Sequence, residues 1–83
     1  MGDDTEIYDL RGLNCPLPVL KARKRLSAMQ PGEQLSLETT DPLAVIDIPA
    51  FCIEDGHRLI SSDAVEGGRR FLIERGMAQA IAT

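Results

Sequence analysis

In this 83-residue chain the residue types and spacing of Cys15-Pro16-Leu17-Pro18 point to one chemistry, that of a reactive thiol. A cysteine followed by alternating prolines reads as the mouth of a helix, because proline is tolerated where first-turn N–H groups have no intrahelical partner. With Pro16 at N1, Cys15 becomes the N-cap, Leu17 N2 and Pro18 N3. Two first-turn donors are then deleted, leaving the N–H groups of Leu17 and Val19 as candidates to point back at the sulfur. Such donors, with the positive end of the helix dipole, favour the thiolate. A free cysteine with a pKa of about 8.5 is only a few per cent ionised at neutral pH, and one or two units of depression would make the thiolate a major species. The plainer alternative is a small residue that merely caps a helix. Ser, Thr, Asp and Asn do that better, which favours the reactive thiol.

Other side chains gather around this turn in the sequence. Asp9 and Arg11 flank the approach to the thiol, and Arg11 is a candidate to stabilise a thiolate anion, against the ordinary alternative of a solvated arginine. Lys21, Arg23, Lys24 and Arg25 fall within five positions just beyond it. They read either as a solvated helix face whose cations complement the dipole or as a docking patch for an acidic partner, with Lys21, Lys24 and Arg25 as its contacts. The second thiol, Cys52, shares a helical face with Val45 and Ile48 and reads as a core cysteine. A redox pair with Cys15 would need their Cα atoms within about 7 Å. His57, the only histidine, reads as a surface or capping residue, since nothing in the spacing brings it to Cys15 as a general base.

The composition sets limits on the rest. A chain this short builds one domain with one core, so its chemistry belongs near the surface. Two cysteines without a Cys-x-x-Cys spacing, and a single histidine, give neither a disulfide framework nor a zinc set, so no metal and no bound cofactor is expected. Net charge is −4, from 9 Lys+Arg against 13 Asp+Glu, which argues against direct nucleic-acid binding. No apolar run is long enough for a membrane span, and residues 1–6 are acidic with no signal-like apolar stretch, so a cytoplasmic location is expected.

Periodicity then supplies the elements that must position the thiol. Residues 7–10 read as a short strand broken by Gly12 and Asn14. A first helix is predicted over 16–29, with Val19, Ala22, Leu26 and Met29 as its core stripe and Leu20 widening it. Residues 33–40 alternate, with Leu35, Leu37 and Thr39 on one face. Asp41-Pro42 opens a second helix as N-cap and N1; Val45, Ile48 and Cys52 form its buried face, Pro49 interrupts it, and it stops at Gly56. Asp47 is expected to satisfy donors freed by that proline. Residues 57–62 and 69–74 read as a hairpin joined by the polar segment 63–68. The domain spans 1–83, with a core of about 6–76 and flexible termini. Two right-handed crossovers put both helices on one side of the sheet, so the fold is α+β, a two-layer α/β sandwich in the order βαβαββ. Cys15 falls where a strand ends and a helix begins, where sites collect in open sheets.

These residues resemble the TusA-like, or SirA-like, small sulfurtransferases. The resemblance covers residues 8–76 and rests on Asp9-Leu10-Arg11-Gly12-Leu13-Asn14-Cys15-Pro16-Leu17-Pro18-Val19, Met29-Gln30-Pro31-Gly32-Glu33, Asp41-Pro42 and Asp47-Ile48-Pro49-Ala50-Phe51-Cys52. It implies a four-stranded mixed sheet in the order 1-2-4-3 with two helices on one face, and a cysteine that carries sulfane sulfur as a persulfide. In that family sulfur comes from a cysteine desulfurase or a rhodanese-like donor and passes to an acceptor relay protein, in one branch for 2-thiolation of a tRNA wobble uridine. Cys15 matches the catalytic position, and Pro16 and Pro18 match as shaping residues. Between the prolines the tRNA-thiolation branch often carries Glu where this chain has Leu17, so the pathway stays open between tRNA thiolation, sulfur oxidation and molybdoenzyme maturation.

The expected mechanism is that of thiol–disulfide exchange. The Cys15 thiolate accepts sulfane sulfur, becoming Cys15–S–SH, and a partner's cysteine attacks the terminal sulfur. Two other classes remain open at this level: a thiol redox protein using Cys15 with Cys52, and a non-enzymatic regulatory or interaction module in which the Cys15 turn is structural.

Overall fold

The computed structural model describes residues 7–76; the ends expected to be flexible, 1–6 and 77–83, lie outside the described residues. Elements follow one another as β1 (Ile7–Asp9), α1 (Leu17–Ser27), β2 (Gln34–Thr39), α2 (Ala44–Asp55), β3 (Arg58–Val65) and β4 (Gly68–Glu74). The strands form one sheet in the order β1-β2-β4-β3. β1 pairs parallel with β2, while β2–β4 and β4–β3 are antiparallel. The mixed sheet and the element order are those expected.

The alternation in β2 explains why the sheet has an inner face. Leu35 and Leu37 pair across the ladder with Ile73 and Phe71, and all four are buried. Ala22 and Leu26 of α1 and Ile48, Phe51 and Cys52 of α2 close over this face. The helices also touch each other, Arg23 of α1 bonding Asp55 of α2 at 3.0 Å and lying over the Phe51 ring. The opposite sheet face is more polar, with Glu38 pairing with Arg70 across the strands. Such division of one face from the other is what period-2 alternation produces.

Several boundaries and faces differ from the sequence reading. α1 ends at Ser27, two residues before Met29, with Ala28 as C-cap. Arg75, beyond β4, donates to the carbonyl of Leu26 at 2.8 Å and so satisfies an end the sequence left open. Leu20 does not widen the buried stripe, being 48% exposed. α2 begins later than Asp41-Pro42, at Ala44, because Pro42 and Leu43 form a turn. Asp41 is therefore not its N-cap: Leu43 holds that place without a side-chain cap, and Asp41 Oδ1 accepts from the Leu43 N–H at 3.2 Å within the turn that precedes the helix. Its buried face is Ala44, Ile48, Phe51 and Cys52, spaced i, i+4, i+7 and i+8, whereas Val45 is 48% exposed. The three-residue offset used to group Val45 with Ile48 tracks the helix less well here than the four-residue one. Pro49 sits inside α2, which continues on both sides of it.

The hairpin is tighter than the polar segment suggested. β3 runs through Asp63 and Ala64 to Val65, which pairs with Gly68 across a two-residue turn. Gly67 takes φ 80° there, a conformation that favours glycine. A Cβ on Gly68 would collide with the Thr39 carbonyl oxygen of the neighbouring strand end. Polar residues on a half-exposed edge strand carry no alternation signal, which is why 63–65 read as loop.

Candidate functional site

Cys15 lies in the turn between β1 and α1, on an exposed stretch running from Asn14 to Leu17. The turn is pinned from both sides. Leu10 N–H donates to the Glu38 carbonyl at 2.9 Å, and Gly12, at φ 87°, donates its N–H to Thr40 Oγ1 at 2.9 Å. Pro16, rather than Cys15, is the N-cap of α1, with Leu17 at N1 and Pro18 at N2. The Leu17 N–H expected to face the sulfur instead donates to the Asn14 carbonyl at 2.8 Å. That local turn shifts the helix start by one residue and takes a first-turn donor away from the thiol.

The sulfur has a different partner. Cys15 Sγ donates to Oδ2 of Asp47 at 3.0 Å, across 32 residues of sequence. Asp47 is half-buried in the first turn of α2. This hydrogen bond to a carboxylate, reinforced by desolvation and by the charges of Asp47 and Asp41, pushes the Cys15 thiol above its ordinary range. The lowered thiol inferred from the helix mouth is therefore overturned. A full negative charge at hydrogen-bond distance outweighs a partial helix dipole. The expected role of Asp47 toward a turn after Pro49 is likewise replaced by this contact. Topology explains the meeting: β1 and β2 are parallel neighbours, so the helices that follow them both begin at the same edge of the sheet.

The remaining candidates separate into groups. Arg11 is committed to Asp9, donating through Nε at 2.8 Å and through a terminal nitrogen at 3.1 Å, and this pairing holds the Asp9 carboxyl down at about 2. Within the cation run, Arg23 turns toward α2, as described, while Lys21, Lys24 and Arg25 line a groove of about 530 Å³ with Tyr8, Leu17 and Leu20. Arg25 stacks over the Tyr8 ring at 4.0 Å from its centroid. The exposed Leu17 thus begins a groove with apolar walls and a cationic rim, two residues from Cys15. Pro18 is buried and anchors the turn beneath it.

Cys52 is a core cysteine, 2% exposed, and burial with the Asp55 charge pushes its thiol up to about 11. Among the described residues no cluster of His, Cys, Asp or Glu is arranged to hold a metal ion, and no helix is long and apolar enough to cross a membrane. His57 is more structural than a surface residue. Its Nδ1 accepts the Gly76 N–H at 3.0 Å, its own N–H donates to Cys52 O at 2.8 Å, and its ring meets Phe51 edge-on at 5.6 Å.

That placement carries a pH prediction. Burial lowers the His57 pKa from 6.5, opposed by the Asp55 charge and assisted by Arg75 and Arg23. A lowered base contributes stability that is fully present above 6.5 and lost as pH falls through the lowered value. Urea unfolding at about pH 8 and about pH 5 should show a loss in the native chain that is smaller in His57→Gln, which cannot protonate. Equal losses in both chains would remove His57 as the cause.

The profile of the family described as "Sulfurtransferase TusA" matches residues 6–75. The sulfur carrier protein TusA of Allochromatium vinosum is 43% identical over 75 residues, covering 90% of this chain and 99% of the relative. Two proteins of Neisseria meningitidis, NMA0882 from serogroup A and NMB0681 from serogroup B, carry names that assign them provisionally to sulfur carriage. Each is 42% identical over 64 residues, 77% of this chain and 86% of the relative.

Proposed function

The chain belongs to the sulfurtransferase TusA family, and from that premise we propose that it is a sulfur carrier whose working group is Cys15. The thiol accepts sulfane sulfur from a donor protein, holds it as Cys15–S–SH and yields it to an acceptor protein. The observation that supports this most directly is an exposed thiol in the turn before α1, two residues from Leu17 of the groove, while the second thiol is sealed in the core. A carrier that must meet two proteins in turn needs its sulfur at the surface, because exchange depends on access as well as on thiolate fraction.

The partners are a cysteine desulfurase or rhodanese-like donor and a relay protein that takes the sulfur onward, to tRNA thiolation or another sulfur-trafficking route. Lys21, Lys24 and Arg25 rim the groove with positive charge on a chain that is acidic overall, which suits an acidic segment of either partner. Leu17, exposed at the groove's start, supplies an apolar contact beside the thiol and contributes to partner choice. Arg11 is paired with Asp9 in the turn that leads to Cys15.

Intact mass spectrometry tests this reading. After incubation with a desulfurase and cysteine, or a rhodanese and thiosulfate, the chain should gain about 32 Da on the peptide that contains Cys15, and a reductant should remove it. No gain with either donor class would sink the carrier assignment.

A further inference from the structure

Cys15 Sγ is exposed, yet its neighbour is a carboxylate at 3.0 Å. The nearby charge of Asp41 adds to the negative field, and Asp41 Oδ2 is buried without a hydrogen-bond partner among the described residues. Neither Asp47 nor Asp41 takes part in an ion pair among the described residues. The cations of α1 do not fill this place: Arg23 is paired with Asp55, Arg25 lies over Tyr8, and Lys21 and Lys24 line the groove. Negative charge therefore stands unanswered beside the reacting atom, and positive charge stands further along the first helix.

Persulfide chemistry makes that arrangement consequential. The species that exchange with Cys15 are thiolates and persulfide anions, which the Asp47 carboxylate repels. The same carboxylate holds the thiol's proton. We propose that Asp47 is a specificity-determining residue, restraining the Cys15 thiol and admitting a reactant that carries a positive side chain beside its own reacting sulfur. A Lys or Arg of the partner pairs with Asp47, the Cys15 hydrogen bond is lost, and the thiol ionises more easily. This rests on the carrier reading of Cys15 and specifies the partner chemistry for it.

The step balances without an oxidant. The Cys15 thiolate attacks the outer sulfur of a donor persulfide, R–S–SH; the new Cys15–S bond forms and the donor S–S bond breaks. R–S⁻ leaves and takes up a proton equivalent to the one lost from Cys15, so Cys15–SH and R–S–SH become Cys15–S–SH and R–SH. The partner surface that fits has a cation beside its cysteine and acidic residues opposite the groove.

Charged thiol reagents that share one leaving group provide the test. Trimethylammonium-ethyl and sulfonato-ethyl methanethiosulfonate should modify Cys15 of the native chain with a cation-to-anion rate ratio about three- to tenfold larger than in Asp47→Asn, and the excess should shrink with salt. Neutral iodoacetamide at neutral pH should react faster with Asp47→Asn than with the native chain. Asp47→Ser should repeat both effects, which separates charge removal from a local packing fault. Equal charge ratios in native and variant chains would overturn the proposal. Failure of sulfur loading would instead strike the carrier reading, since the reagents report the thiol whether or not it ever holds sulfur.

Discussion

Cys15→Ser should take up no sulfur from any donor, while Cys52→Ala loads as the native chain does. The magnitude follows from the inequality of the two thiols. Exchange needs an accessible thiolate. Cys52 is buried against Ile48 and Phe51 in the core cluster, with its thiol pushed up to about 11, so at neutral pH only about one molecule in ten thousand would carry a Cys52 thiolate. Removing Cys15 therefore removes all measurable transfer, and the about 32 Da adduct should vanish with it. Transfer retained by Cys15→Ser would place the sulfur elsewhere. The redox alternative makes the opposite demand on Cys52. Mild oxidation would then produce an internal disulfide, a loss of about 2 Da that both single-cysteine variants abolish. A hydroxyl in place of an exposed thiol leaves the core untouched, so Cys15→Ser should unfold at the native urea concentration.

The largest stability effect is expected at Phe71. It is fully buried in β4, opposite Leu37 of β2 and Ser62 of β3, and heads the large side chains that no solvent reaches. Truncating a phenylalanine of this kind costs about 3–5 kcal/mol, the transfer loss adding to an unfilled cavity. A domain of this length has a total stability of about 4–12 kcal/mol. Phe71→Ala should thus lower the urea midpoint drastically or leave the chain partly unfolded in buffer, with Phe71→Leu falling between it and the native chain. A loss below about 1 kcal/mol would mean that the helices settle into the space and that Phe71 is not the centre of the core.

The fold was legible because its signals are local. Leu35, Leu37 and Thr39 alternate in β2 whatever surrounds them, Ala22 and Leu26 recur at helical spacing, and Asp41-Pro42 marks the turn that leads into the second helix. Boundaries slipped where neighbours from other elements decided them. Arg75 closes the end of α1 from beyond β4, and the pairing of β3 with β4 extends through residues with no apolar pattern. Val45 and Leu20 look like core in a helical projection, but a helix buries only the side that meets the sheet.

By itself the sequence determined the order and type of the elements, the position of the thiol at the start of the first helix, and a cation run behind it. Tertiary structure alone decided the state of that thiol. Proline spacing pointed to donors and a helix dipole, whereas parallel pairing of β1 with β2 brings the first turn of α2, and Asp47 with it, to the same edge. It also sent Arg23 to Asp55 and left Lys21, Lys24 and Arg25 at the groove. Backbone preferences act over a few residues and can be read along the chain. The charge that governs a sulfur acts through space, and the residue that bears it here is 32 positions away.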